Sequence, residues 1–317
     1  MVGILDPFWE EKGYISPEEY SQFCNTTVPL ARLEKRIFTE GETMTAKIEV
    51  AHFGKKSLQS IRPKWQLVEN GVIISEGMLD QRDIPIGNAI QLGKVVYNFQ
   101  NKNEPRKLSL KINIEKFENS WDIWVYPENQ RIELKDVRVV ENLDKSTLAY
   151  IQNGGKVLLS LGKGKVSSEM GGNIGVGFSS IFWNTAWTGG QKPHTLGILC
   201  DPSHPALKSF PSEYYSNWQW WDAMKYADAL ILDSLAINLK PIVRIIDDWV
   251  SNRNLALIFE ARIGKGRIVV SGTDLVNNLA SRPEARQLRF SLMQYMNSDT
   301  FKPNVDINPD DLIKVIK

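Results

Sequence analysis

The chain has 317 residues, of which 42% are hydrophobic and 24% charged, and its formal net charge is +1. That balance gives a globular protein enough apolar material for two cores, with no need of disulfide or metal staples. A charge near zero with no basic block lacks the electrostatic footprint of a nucleic-acid binder. The longest apolar runs, such as Lys156–Leu161 and Leu255–Phe259, are strand-sized and cannot span a bilayer.

In chain order, Val2–Leu5 reads as a short strand that Asp6-Pro7 breaks, and Met1–Trp9 has none of the three parts of a signal peptide. Ser16-Pro17-Glu18-Glu19 then starts a helix over 17–25, with Ser16 as N-cap, Pro17 in the first turn and two glutamates complementing the dipole. Residues 1–34 form an arm too small to bury itself, so it is expected to dock on something larger.

Residues 35–130 read as strands. Met44, Ala46, Ile48 and Val50 alternate with Thr43, Thr45, Lys47 and Glu49, the pattern of a half-buried strand. Lys64–Glu69 and Val72–Glu76 flank Asn70-Gly71, whose residues both accept positive φ and so mark a hairpin. Ala89–Phe99, Arg106–Glu115 and Ser120–Tyr126 follow. About six or seven short strands with almost no helix predict an immunoglobulin-like antiparallel β-sandwich, with Trp65 and Trp121 or Trp124 as core aromatics and His52 without a partner.

From residue 131 the pattern changes. Asp136–Val140 is a strand, Leu143–Asn153 a helix capped by Gly154-Gly155, and Lys156–Leu161 a fully apolar strand, which is the signature of a parallel α/β unit. Ala229–Leu232, Leu255–Glu260 and Arg267–Ser271 add strands, and Arg282–Asn297 is a final amphipathic helix. Residues 131–303 are therefore expected to form a doubly wound α/β domain, followed by a tail over 304–317 that is either a strap or mobile.

Such a domain binds ligands beyond the carboxyl ends of its strands, so its motifs carry the search for chemistry. The first βα turn, Glu141-Asn142-Leu143-Asp144, has no dinucleotide fingerprint. Gly162-Lys163-Gly164-Lys165 and the run Gly171–Gly177 lack the spacing of phosphate loops. Cys24 and Cys200 read as buried free thiols. Cys200 lies near His194 and His204, so a Cys/His pair is conceivable, although Ile198–Pro202 reads as a strand end and not a nucleophile elbow. Asp247-Asp248 beside Trp249 reads as the solvated face of a helix. Three scattered histidines and two cysteines form no metal constellation, and neither cofactor nor metal is expected.

Aromatic residues are the anomaly. Trp183, Trp187, Trp218, Trp220 and Trp221 put half of the ten tryptophans within about forty residues, joined by Phe178, Phe182, Tyr214 and Tyr215. Flat aromatic faces pack on the C–H faces of sugars while the indole N–H donates a hydrogen bond, which makes this cluster a candidate oligosaccharide contact. The same residues equally suit a core or an interface.

Several segments carry a family resemblance: Val2–Trp9, Lys12-Gly13-Tyr14-Ile15, Phe23-Cys24-Asn25, Val28–Arg32, Glu49–Gly54, Asn119–Pro127, Trp183-Asn184, His194–Leu199 and Tyr215–Trp221. Together they resemble the C-terminal region of glycoside hydrolase family 2 proteins of the β-galactosidase/β-glucuronidase kind, followed by a domain resembling class I glutamine amidotransferases. The resemblance implies that residues 1–34 are the end of a catalytic (β/α)8 barrel that precedes residue 1. Asp6 and Trp9, at the carboxyl end of a barrel strand, would line its pocket. It implies a parent O-glycosyl hydrolase, exported to the periplasm or cell surface, and a chain that is itself non-catalytic. Such a chain would support the missing barrel and pack domains or subunits, in a homo-oligomer or otherwise. The alternatives are a carbohydrate-binding module at the tryptophans and an independent hydrolase built on Cys200 and His204.

Overall fold

The computed structural model describes residues 3–128, 130, 135–178, 194–236 and 238–316. The chain divides into two compact units. One comprises residues 1–102 and 106–125, and the other comprises 103–105 and 126–317. The architecture is mixed, an all-β sandwich-like unit followed by a mixed sheet with helices.

The first unit opens with helix α1 (Pro17–Ser21). Its start follows from a reciprocal cap. The Glu19 N–H donates to Ser16 Oγ at 3.2 Å, and the Ser16 N–H donates to Glu19 Oε2 at 2.8 Å. The helix stops at Ser21, short of the expected residue 25. Leu5 makes only an isolated bridge with Glu11, and Val2 lies outside the described residues.

Ten strands follow: β1 (Thr27–Leu33), β2 (Ile37–Thr39), β3 (Thr43–His52), β4 (Leu58–Ile61), β5 (Lys64–Glu69), β6 (Val72–Met78), β7 (Arg82–Ile84), β8 (Gly87–Asn98), β9 (Arg106–Ile114) and β10 (Phe117–Tyr126). They form sheets of order β1-β3-β8 and β2-β10-β9-β5-β6, with β4 and β7 paired apart. The alternation read from β3 is realised, with Met44, Ala46, Ile48 and Val50 all buried against Leu108, Leu110, Ile112 and Ile114 of β9 in one core. Asn70 (φ 49°) and Gly71 (φ 81°) make the β5–β6 turn, both in the left-handed region that this turn requires.

Two expectations change here. Thr27–Leu33, assigned to the arm, is an edge strand paired antiparallel with β3, Pro29 opposite Val50. Proline is tolerated there because one side of an edge strand has no ladder to complete. His52 is not without a partner. Its Nδ1 faces Thr27 Oγ1 at 2.8 Å and its Nε2 faces the Lys56 carbonyl at 2.9 Å, so the imidazole donates from Nε2 and accepts at Nδ1.

The second unit contains β11 (Val137–Val140), α2 (Lys145–Gln152), β12 (Lys156–Ser160), β13 (Ile198–Cys200), α3 (Trp220–Lys225), β14 (Leu230–Ile231), β15 (Pro241–Ile245), β16 (Leu255–Ile263), β17 (Gly266–Ser271), α4 (Pro283–Asn297) and α5 (Pro309–Val315). Asp144 caps α2, its Oδ1 accepting the Thr147 N–H at 2.7 Å. The sheet order is β11-β12-β17-β16-β15-β13, with β14 also on β16. The parallel arrangement expected of a doubly wound domain holds for β11, β12 and β17, whereas β17–β16, β16–β15 and β15–β13 are antiparallel. The turn Gly264-Lys265 explains the change of direction, because it joins β16 to β17 as a hairpin that leaves no room for a crossover helix.

Helices cover both faces. Val157, Leu159, Ile268, Val270, Phe259 and Ala261 share a core with Ile151 of α2 and with Leu312 and Val315 of α5. Glu260, between Phe259 and Ala261, points to the opposite face. There it accepts a hydrogen bond from the Tyr295 hydroxyl of α4 at 2.8 Å. The segment 304–316 is therefore a strap, with the Ser167 N–H donating to the Val315 carbonyl at 2.8 Å.

Candidate functional site

The tryptophan cluster resolves into two environments on α3. Trp220 is fully buried (0% exposed), its ring edge-on to Phe210 at 5.0 Å and its Nε1–H donating to Ser212 Oγ at 2.7 Å. It is a core residue and is withdrawn from the candidate sugar contacts. Trp221, the next residue on the helix, projects roughly 100° away, and both it and Trp218 are 47% exposed. Phe178 completes a three-ring group, with centroids 5.2 Å from Trp221 and 5.8 Å from Trp218, and the two indoles are 5.9 Å apart. Tyr214 and Tyr215 are exposed. Trp183 and Trp187 lie outside the described residues.

Phe178 and Trp221 wall a cavity of about 360 Å³, lined also by Met224 and Lys225 of α3, by Lys163, by Asp228 and by the loop Gly172–Val176. The loop's glycines serve close packing. A side chain at Gly171 would meet the Ala229 carbonyl at 2.3 Å and one at Gly172 the Val166 carbonyl at 2.0 Å. The neighbouring Gly162–Lys165 turn also has a plain structural role. Buried Asp228 accepts the Gly164 N–H at 2.7 Å and the Val166 N–H at 3.1 Å through Oδ2. The nest of backbone donors in this turn is thus occupied by the protein's own carboxylate. The Lys163 side chain is left at the cavity.

A buried ion pair fixes α3 from behind. Arg282, at the start of α4, donates from Nε and Nη2 to Asp222, with distances of 2.7–3.0 Å, and from Nη1 to the Asn277 carbonyl at 3.1 Å. Its guanidinium also stacks over the Tyr226 ring at 4.3 Å.

The other candidate residues do not converge. The Cys200 thiol donates to the Glu213 carbonyl at 3.2 Å, and burial pushes its pKa up to about 11, which leaves it a poor nucleophile. His204 accepts the Ala206 N–H at Nδ1 (3.2 Å) and packs edge-on to Tyr295, and burial holds its pKa below the usual histidine range. His194 Nδ1 faces the Thr195 carbonyl at 2.8 Å. Each is engaged by a different backbone group, so these residues form no nucleophile–base pair. Cys24, expected to be buried, is exposed.

Asp247 and Asp248 lie in a buried turn and not on a helix. They bind Arg253 and the backbone N–H groups of Val250, Ser251 and Arg253. In the first unit Asp6 accepts the Phe8 and Glu10 N–H groups through Oδ1, and Trp9 (φ 67°) is exposed. Among the described residues no three His, Cys, Asp or Glu side chains could hold a metal ion, and no helix is long and apolar enough to cross a membrane.

Sequence reasoning found Phe178 and the tryptophans and weighed Lys163 only as part of the Gly162–Lys165 turn, and it missed Lys225, Asp228 and the Asp222–Arg282 pair. The partners of Asp228 and Asp222 lie tens of residues away, so no local pattern marks them.

A family model described as "Domain of unknown function (DUF8488)" matches residues 42–127, and another, "Domain of unknown function (DUF8487)", matches residues 138–317. No curated protein matches the chain. Among solved structures, one similar chain is the Pseudomonas fluorescens alkylpurine DNA glycosylase AlkC bound to DNA containing an abasic site analog, at 8% identity, 32% of this chain, 30% of that chain and TM-score 0.26. Another is Spo0M, a sporulation control protein from Bacillus subtilis, at 10% identity, 33% of this chain, 51% of that chain and TM-score 0.24. A third is the CARDB domain of PF1109 from Pyrococcus furiosus, at 9% identity, 32% of this chain, 94% of that chain and TM-score 0.23. The chain spans 30% and 51% of the first two, and at these TM-scores the likenesses carry no argument. The matched span 138–317, more than half of the chain, takes in the mixed sheet but for Val137, together with its helices, and on it the chain belongs to the DUF8487 family, a domain of unknown function.

Proposed function

We propose that the chain is a non-catalytic, saccharide-contacting C-terminal region of a family 2 glycoside hydrolase of the β-galactosidase/β-glucuronidase kind. In this reading the first unit is an immunoglobulin-like sandwich. The second is an α/β unit of class I glutamine amidotransferase type without an elbow cysteine.

The observation that carries the reading is the division of neighbouring tryptophans on one short helix. Trp220 is in the core, whereas Trp221 joins Trp218 and Phe178 as a partly exposed ring group beside a cavity. Core formation accounts for the first and leaves the second unexplained. A flat apolar face with polar groups around it is what a sugar ring needs. The inert Cys200 supports a non-catalytic role. In the first unit Phe8, Trp9, Tyr14 and Phe23 are exposed. Such an apolar surface suits packing against a further domain, here the proposed catalytic barrel.

The test is titration of the protein with a panel of neutral and acidic galacto-oligosaccharides, followed by tryptophan fluorescence. Quenching is expected, with affinity lowered about tenfold or more by Trp221→Ala, because a stacked aromatic contact contributes about 0.5–1.5 kcal/mol beyond its buried area. Nitrophenyl galactosides and glucuronides stay intact. A flat titration across the panel removes the saccharide contact. Turnover that disappears on changing one carboxylate removes the non-catalytic role.

A further inference from the structure

We infer that the saccharide held at this cavity is acidic, a sugar bearing a carboxylate or sulfate group. The inference rests on the proposed saccharide contact and adds to it the chemistry of the ligand.

Two lysines, Lys163 and Lys225, line the cavity beside the Trp221 and Phe178 rings, and both are exposed. They come from different elements, one from the turn after β12 and the other from the end of α3. The two side chains therefore meet at the cavity through the fold and not through helical spacing. Neither has an ion-pair partner among the described residues, and the Lys225 ammonium rests over the Tyr226 ring at 5.3 Å.

The neighbouring acids are already engaged. Asp228 lines the cavity but is buried, and its Oδ2 holds the Gly164 and Val166 N–H groups. Asp222, on the same helix as Lys225, is bound to Arg282. The cavity thus sets two exposed lysines against one buried carboxylate, a net cationic lining next to an aromatic wall, a combination that favours an acidic sugar over a neutral one. Its volume of about 360 Å³ suits a short saccharide, since ligand sites run from about 300 to 1,000 Å³.

The experiment is calorimetric titration of the full chain at about 50 mM salt, where surface charge is weakly screened. The three probes are a galacturonic acid trisaccharide, a sulfated galactan trisaccharide and neutral galactotriose. At least one acidic probe is expected to bind about tenfold or more tighter than the neutral one, because each ammonium–anion contact at about 4 Å is worth about 1 kcal/mol in water. That advantage is expected to shrink on raising the salt to about 0.5 M. A preference for carboxylate over sulfate, or the reverse, identifies which anionic group is held.

The variant Lys163→Gln/Lys225→Gln is expected to bring the acidic probes down towards the neutral one. Thermal unfolding and the tryptophan emission spectrum report that it is folded. Equal binding of all three probes, or an acidic preference that survives in the double variant, overturns the inference and leaves the saccharide contact standing. Binding of none of the three removes both.

Discussion

Replacing Arg282 by methionine tests how α3, and with it the aromatic wall, is held. In the native protein this guanidinium donates three hydrogen bonds to Asp222 and a fourth to the Asn277 carbonyl. The side chains of the pair are only 7% and 11% exposed. Arg282→Met keeps most of the volume and removes every donor, so the Asp222 carboxylate is left buried without a counter-charge. That situation costs about 3–5 kcal/mol. With a urea m-value of about 2 kcal/mol/M, the unfolding midpoint of this unit falls by about 1.5–2.5 M. The double variant Asp222→Leu/Arg282→Met removes both charges and is expected to recover most of the loss, because the desolvation penalty goes with the pair. Urea melts of the wild type, both single variants and the double variant give the coupling directly. If Arg282→Met lies within about 1 kcal/mol of wild type, or if the two single effects simply add, the pair does not anchor α3 as described.

Three further outcomes follow from the same geometry. A thiol-specific disulfide reagent at about pH 8 should label Cys24 alone in the native protein and both thiols in denaturant, because Cys200 at a pKa of about 11 is only about one part in a thousand thiolate. Rapid native labelling of two thiols contradicts the burial. Glu260 sits behind Tyr295, and burial raises its pKa, with the Tyr295 hydrogen bond drawing it back in part. Below the ordinary carboxylate range it is protonated in both states and costs nothing. As pH rises past that range, the unfolded chain ionises first and the group's contribution is lost until the raised folded value is passed. Glu260→Gln should therefore gain stability relative to wild type as pH rises through that window, seen as a growing difference in urea midpoint, and a difference independent of pH rejects the reasoning. Finally, Gly71→Val forces a β-branched residue into φ 81° and should destabilise the sandwich by more than about 1 kcal/mol. A thermal melt matching wild type would mean that the turn relaxes.

Much of the frame was legible because the sequence carries it locally. The alternation in β3, the Asn70-Gly71 turn, the Ser16 cap and the apolar run of β12 each fix their structure within a few residues. What escaped depends on distant partners. Pro29 hid β1, because only its place at the sheet edge, opposite Val50, makes proline acceptable there. The antiparallel half of the second sheet comes from a hairpin at Gly264-Lys265, and the apolar run of β16 gives no sign of its direction. The strap over 304–316 reads as a tail because its apolar residues are interrupted by Asn, Asp, Lys and Pro and follow no long periodic run, yet Ile307, Leu312 and Val315 are all buried. The aromatic site was half legible. Composition singled out the tryptophans, but Trp218, Trp220 and Trp221 have no polar–apolar contrast to tell the core residue from the exposed ones. The glycine-flanked Lys163 drew notice only as a phosphate-loop motif and Lys225 carried no signal, because the two meet only through the fold.

A crystal structure of the protein soaked with the acidic trisaccharide it binds best addresses the central claim most directly. A sugar ring stacked on Trp221 and Phe178, with its anionic group between Lys163 and Lys225, is the expected result. Ordered sugar bound elsewhere, with the Trp221 face left bare, would contradict it.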